Sequence, residues 1–128
     1  MQVTIHNEIT FDQETEVIHE VHDCQMIEKG VFSYLTYQNA ESEKVILKYN
    51  EEELTMTRFS APKSIMRFHK HQDALVMIPT PLGIQQFMTQ TAYYALDKAA
   101  RTLEISYALT QLDGQTTFAQ YRLMISWQ

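Results

Sequence analysis

The sequence predicts an all-β protein, a single antiparallel up-and-down β-barrel of about eight to ten strands. Apolar and polar residues alternate with a period of two along nearly the whole chain, which is typical of strands with one buried face. The segments between these stretches are too short for crossover helices, so neighbouring strands should be antiparallel. Removal of exposed strand edges favours closure into a barrel. The 128 residues form one domain, residues 1–128, that is long enough to bury a core.

The first predicted strand covers residues 1–11. Val3, Ile5 and Ile9 fall on one face, and polar residues such as Thr4 and His6 fall on the other. A strand with one face in a core and the other in water requires this pattern.

Seven further alternating stretches follow. They lie near residues 15–27, 30–38, 43–50, 53–59, 64–71, 74–79 and 84–96. Alanines at positions 92, 95, 99 and 100 give residues 92–101 a weak helical pattern, but the β-rich context favours a strand there.

The last two strands should form a hairpin. Apolar residues alternate from Leu103 to Leu109 and again from Ala119 to Trp127, with Asp113-Gly114 between them. Asp-Gly between alternating stretches is typical of a two-residue turn in which both central residues have positive φ. The sequence therefore predicts ten strands, with the last two paired antiparallel.

Composition excludes several classes of protein. The net charge of −6 leaves no basic surface for nucleic acid. The longest apolar run, 74–78, is far too short to span a membrane as a helix. The absence of a secretory pattern and the lone Cys24 suggest a cytoplasmic protein. With only three glycines, the chain has no phosphate-binding loop.

Histidine and cysteine carry little functional signal. His69 and His71 share a strand face, but no third metal ligand accompanies them. His19 and His22 are three apart and should point to opposite faces of a strand. Cys24 shares a face with His22 but lacks an orienting group, so a buried thiol is expected. We therefore expect no metal, no cofactor and no catalytic residue.

Two arginines lie in apolar alternating strands. Arg58 shares a face with Leu54 and Met56, and Arg67 shares a face with Ile65. If these faces point inward, each guanidinium lies in an apolar lining and needs a carboxylate or an anionic ligand as its partner. The alternative is that both arginines lie at the rims of the barrel, with their charged groups in water.

Several of these features together resemble a known family. They are Arg58, Ser60 to Lys63 and Arg67-Phe68, then Thr80-Pro81-Leu82-Gly83, Thr91, and the strand from Leu103 to Tyr107. This pattern resembles the bacterial YwiB-like family, a domain of unknown function with a calycin-like β-barrel. The resemblance covers residues 43–127 well and the first forty loosely. It implies a barrel related in shape to lipocalins, and no substrate or catalytic residue.

The leading functional hypothesis is a binding protein that holds a small amphipathic or anionic molecule inside the barrel. Arg58, Arg67 and Tyr107 would be the polar anchors, because a pocket combines apolar walls with a few polar groups. The apolar lining would consist of adaptable or aromatic side chains, namely Met56, Met77, Phe87, Met88 and Tyr94.

The alternative hypothesis is a protein-interaction or regulatory module with a filled barrel. Such a module would dock a partner or a second copy through its outer face or an exposed edge strand, so the chain would be a monomer or a homodimer. The charge distribution is uneven, with a net −7 over residues 1–64 and +1 over residues 65–128. An enzyme is the least favoured interpretation, because no nucleophile, base and orienting group can be placed together.

Overall fold

Ten antiparallel strands follow one another around a closed barrel in the computed structural model, which describes residues 1–128. The strands are β1 (Gln2–Phe11), β2 (Glu14–Lys29), β3 (Phe32–Gln38), β4 (Lys44–Tyr49), β5 (Glu53–Arg58), β6 (Ser64–His69), β7 (Ala74–Thr80), β8 (Gly83–Asp97), β9 (Thr102–Thr110) and β10 (Thr117–Trp127). Each strand pairs with its neighbours in sequence, and β1 pairs with β10 to close the barrel. The predicted fold class and the number of strands are confirmed.

The strand favoured at the start of residues 92–101 is confirmed, whereas the predicted type of turn between β9 and β10 is wrong. The stretch 92–101 contains no helix, because β8 continues to Asp97 and a turn follows. The β9–β10 hairpin is antiparallel as predicted, but its turn is not the two-residue type. Gly114 has a positive φ of 71°, whereas Asp113 does not. The Asp113 carboxylate accepts hydrogen bonds from the backbone N–H groups of Gln115 and Thr116. These bonds stabilise a longer loop in place of the tight turn.

The core lies inside the barrel and follows the alternation of the strands. Seventeen buried side chains form one cluster, and Leu35, Leu47, Leu54, Leu103 and Ile105 are at most 1% exposed. Each such side chain contributes about 1.5–3 kcal/mol by leaving water. The interior of the barrel is therefore filled with side chains over most of its length.

The joint between β6 and β7, by which we mean the ladder of paired residues between two neighbouring strands, is the shortest in the barrel. It has a single register pair, Ile65 with Met77, whereas β1 and β10 share eight. The fully buried Thr89 of β8 reaches across this joint, and its hydroxyl donates to the Arg67 carbonyl at 2.6 Å. A side chain thus supplies a hydrogen bond at a joint where strand pairing is sparse.

One end of the barrel, which we call the open end, has walls of unequal height. β2 contains 16 residues and β3 only seven. Their pairing begins at Cys24 with Tyr37, so β2 from Glu14 to Asp23 extends past the top of β3. The β3–β4 and β5–β6 turns therefore lie below the end of β2.

Two threonines of β8 allow the joint between β6 and β7 to be tested. Replacement of Thr89 by valine leaves the Arg67 carbonyl without its donor, and we expect a loss of about 1–3 kcal/mol in the free energy of unfolding. The same replacement at Thr91 removes a buried hydroxyl that has no hydrogen-bond partner, so it should be neutral or stabilising. Urea denaturation of both variants measures the difference. Equal losses at the two positions would show that the Thr89 hydrogen bond does not stabilise the joint.

Candidate functional site

A depression at the open end is the best-formed candidate for a binding site. This mouth cavity has a volume of about 320 Å³. Its lining consists of inward-facing residues of five strands together with the β3–β4 turn, namely Glu20, Tyr37, Asn39, Ala40, Glu41, Val45, Met56, Arg58, Ser64 and Met66. The cavity exists because β3 to β6 end below β2, so their last inward-facing side chains are not covered by further strand residues.

The floor of the mouth cavity is apolar. Met56 and Met66 lie directly opposite each other on β5 and β6, and both pack against the core cluster. Val45 is buried beside them. Methionine side chains are flexible and polarisable, so such a floor can adapt to guests of different shape.

One guanidinium lies at the rim of this cavity. Arg58 is the last residue of β5, at an inward-facing position, and its side chain is 51% exposed. Its ion pair is with Glu43, at 3.8 Å between Nε and Oε1, which is too long for a good hydrogen bond. Glu43 is itself held in place by Asn39, whose amide donates to it at 3.0 Å. Most of the donors of Arg58 are therefore available to a ligand.

Tyr37 of β3 and Glu20 of β2 also line the cavity. The Tyr37 ring stacks on His22 with centroids 5.0 Å apart, and the His22 ring lies 3.1 Å from the Glu20 carboxylate. Burial raises the pKa of the Tyr37 hydroxyl well above its usual range, Glu20 raises it further, and Arg58 opposes the rise. The hydroxyl thus stays protonated at neutral pH and can donate a hydrogen bond.

Only two of the residues predicted to bind a ligand line the mouth cavity, Arg58 and Met56. The prediction that Arg67 faces the interior is wrong. Arg67 is exposed on the outer wall, because β6 directs Phe68 inward and its odd-numbered residues outward. Met77 is also on the outer wall and is half exposed. Neither residue can share a cavity with Arg58.

The remaining predicted residues are dispersed. Tyr107 is buried in the core, where it stacks on Tyr121 at 4.6 Å. Tyr94 is buried, and its hydroxyl donates to the Asn50 carbonyl at 2.7 Å. Phe87 packs edge-on against Phe118 with centroids 4.9 Å apart, while Met88 lies opposite Leu75 and Thr110 in the sheet. These residues stabilise the barrel and do not converge on the mouth cavity.

Sequence reasoning missed Glu20, Tyr37, Ser64 and Met66. A signal for Glu20 was present, because residues 14, 16 and 20 are glutamates on the same strand face as the buried Cys24. Acidic residues at inward-facing positions indicate a part of a strand that has no core beneath it. The Cys24 thiol is buried, and burial raises its pKa, which agrees with the expected unreactive thiol.

The sequence matches the model of one known protein family. The model of a domain of unknown function, DUF1934, matches residues 3–125. The chain belongs to the DUF1934 family. The resemblance seen in the sequence is thereby confirmed, and the family description assigns no activity to its members.

A solved structure has the same fold. The crystal structure of the ywiB protein from Bacillus subtilis is 21% identical, with a TM-score of 0.70. The match covers 99% of this DUF1934 chain and 90% of the other chain. No curated protein matches the sequence. The structure contains no helix of the length and apolarity that would cross a membrane.

The tyrosines of this DUF1934 barrel predict its behaviour at high pH. Burial raises the pKa of five of the seven, that of Tyr49 to about 12. The folded state therefore keeps these protons up to a higher pH than the unfolded chain, whose tyrosines ionise at about pH 10. The resulting stability is complete below that pH and is lost as the pH rises above it.

We expect the phenolate absorbance of these five tyrosines to rise together with the loss of near-ultraviolet circular dichroism in an alkaline titration. Ionisation of all seven tyrosines near pH about 10, in a protein that keeps its native dichroism, would contradict this expectation.

Proposed function

We propose that this DUF1934 barrel binds a small amphipathic molecule with an acidic group in its mouth cavity. The observation that carries the proposal is the position of Arg58, which lines the same cavity as two methionines and has one long ion pair as its partner. A binding pocket combines apolar walls with a few polar groups that orient the ligand, and the mouth cavity has this composition.

The ligand would lie with its apolar part on Met56 and Met66 and its acidic group at Arg58. The protonated Tyr37 hydroxyl is a second donor for that group. Glu20 and Glu41 also line the cavity, and they would repel a second acidic group but accept hydrogen bonds from a hydroxyl or an ammonium. These contacts favour a ligand with one acidic group, an apolar body and hydrogen-bond donors.

The size of the cavity limits the ligand. A volume of about 320 Å³ is at the lower end of the range of small-molecule sites. The core cluster beneath the floor is closely packed, so a long acyl chain could not enter the barrel as it does in a hollow one. The proposal is therefore a shallow site at the mouth, in place of the deep interior site that the sequence suggested.

The fluorescent anion anilinonaphthalene sulfonate is a suitable probe, because it joins an acidic group to a compact apolar body. We expect Arg58→Met to weaken its binding about 10- to 100-fold, since a hydrogen bond to a charged group contributes about 1.5–3 kcal/mol. Arg122→Met is the matched control, because its guanidinium is 52% exposed on the outer wall, paired with Glu104. Fluorescence titration gives both affinities, and thermal unfolding verifies that both variants fold.

Equal affinities in the Arg58 and Arg122 variants would overturn the role of Arg58 as the anchor. A competition series with octanoate, octanol and octylamine tests the acidic group, because only octanoate should displace the probe efficiently from the wild-type protein. Native mass spectrometry of gently purified protein then asks whether a molecule is retained in the cavity. A retained molecule without an acidic group would contradict the proposed ligand chemistry.

A further inference from the structure

The part of β2 that extends past β3 has a backbone edge without a neighbour. Residues Glu14 to Asp23 pair with β1 on one side, and pairing with β3 begins only at Cys24. An unpaired strand edge presents N–H and C=O groups that a further strand can bind. We call this segment of β2, residues 14–23, the free edge.

The hydrogen-bond pattern identifies which residues present these groups. Gln2 exchanges two backbone hydrogen bonds with Gln128, at 2.7 and 3.0 Å, so its peptide groups face β10. Because the direction alternates along a strand, the odd-numbered residues of β1 face β2 and bond to its even-numbered residues. The bond from Cys24 N–H to the Met1 carbonyl, at 2.9 Å, agrees with this assignment. The odd-numbered residues from 15 to 23 therefore direct their backbone groups toward the open side.

The side chains at the free edge are partly apolar. Val17 and Val21 are 53% and 50% exposed on the outer face, and Ile18 is 41% exposed on the inner face. A depression of about 660 Å³ lies where β2 departs from β3, lined in part by Asp23, Gln38 and Lys44. A strand added here would bury the valines and continue the sheet from the end of β3.

Charge indicates what kind of strand fits. The free edge carries Glu14, Glu16, Glu20 and Asp23, and the first lysine or arginine of the chain is Lys29. A second copy paired on this edge would bring together two segments with four acidic residues each, in any register, and like charges in neighbouring strands are destabilising. A basic segment would instead meet opposite charges.

We propose that the free edge of β2 binds an extended polypeptide segment in which lysine or arginine alternates with apolar residues, by addition of a strand to the barrel. The basic side chains lie on the inner face, beside Glu14, Glu16 and Glu20, and the apolar ones lie on the outer face beside Val17 and Val21. This function is independent of the proposed small-molecule site, although Glu20 borders both surfaces.

The test uses two capped eight-residue peptides, one of alternating lysine and valine and one of alternating glutamate and valine. Amide hydrogen exchange followed by nuclear magnetic resonance reports each residue of β2. In the free protein, the amides of Thr15, Val17, His19 and Val21 should exchange quickly, while that of Ile18 is protected by β1. The lysine peptide should slow exchange at the odd-numbered positions at least tenfold, and the glutamate peptide should not.

Two variants separate backbone pairing from charge. Val17→Pro removes an N–H that faces the open side and bonds to no part of β1, so the barrel should fold and lose the peptide. A double variant, Glu14→Gln with Glu16→Gln, should weaken binding several-fold and reduce its dependence on salt. The matched control is Glu51→Gln with Glu52→Gln, two exposed glutamates in the β4–β5 turn, which should bind as the wild type does.

Several results would overturn the proposal. They include equal binding of the two peptides, equal effects of the two glutamine pairs, and peptide protection confined to residues outside β2. Protection of the odd-numbered amides in the free protein that increases with concentration, together with a dimer in sedimentation, would identify a second copy as the occupant. If Val17→Pro unfolds the protein, the glutamine pairs still decide the question.

Discussion

The requirement that every backbone group in a closed barrel find a partner on a neighbouring strand governs this structure. Strands of unequal length cannot meet it everywhere, and β2, with 16 residues, lies next to β3, with seven. The part of β2 that extends past β3 creates both the mouth cavity and the free edge. On its inner side, the short strands leave Met56 partly uncovered and Arg58 exposed, and on its edge a row of peptide groups lacks a neighbour.

The charged residues give these two surfaces different chemistry. Arg58 is the one basic residue that lines the mouth cavity, and Glu43 alone pairs with it at long range, so a positive site remains within an acidic surrounding. The free edge has four acidic residues and no lysine or arginine. In both places the apolar part is small: two half-buried methionines in the cavity, and two exposed valines on the edge. Like charges on such an edge disfavour its pairing with the same edge of a second copy.

Much of the fold could be predicted from the sequence, because a period of two and short turns determine strand after strand. The candidate site could be predicted only in part. Arg67 was assigned to the wrong face because residues 64–69 carry apolar side chains on both faces, so alternation alone does not decide which face is buried. Contact of Phe68 with Tyr107, at 4.5 Å between ring centroids, decides it. Met77 was misplaced for the same reason, beside the buried Val76. Which strands extend beyond their neighbours depends on the register of strand pairing. The periodicity of a single strand gives no information about that register.

Two joints of the barrel differ both in their number of register pairs and in the entropy lost when they form. The β6–β7 joint, with one register pair, connects strands separated by only a few residues of turn, so little chain freedom is lost when they meet. The β1–β10 joint brings together residues as distant as Val3 and Trp127, and it contains eight register pairs. Closing a loop of this length costs about 2 kcal/mol more than closing the short one. The barrel thus places one of its longer ladders where the chain loses the most freedom, and its shortest ladder at a local turn.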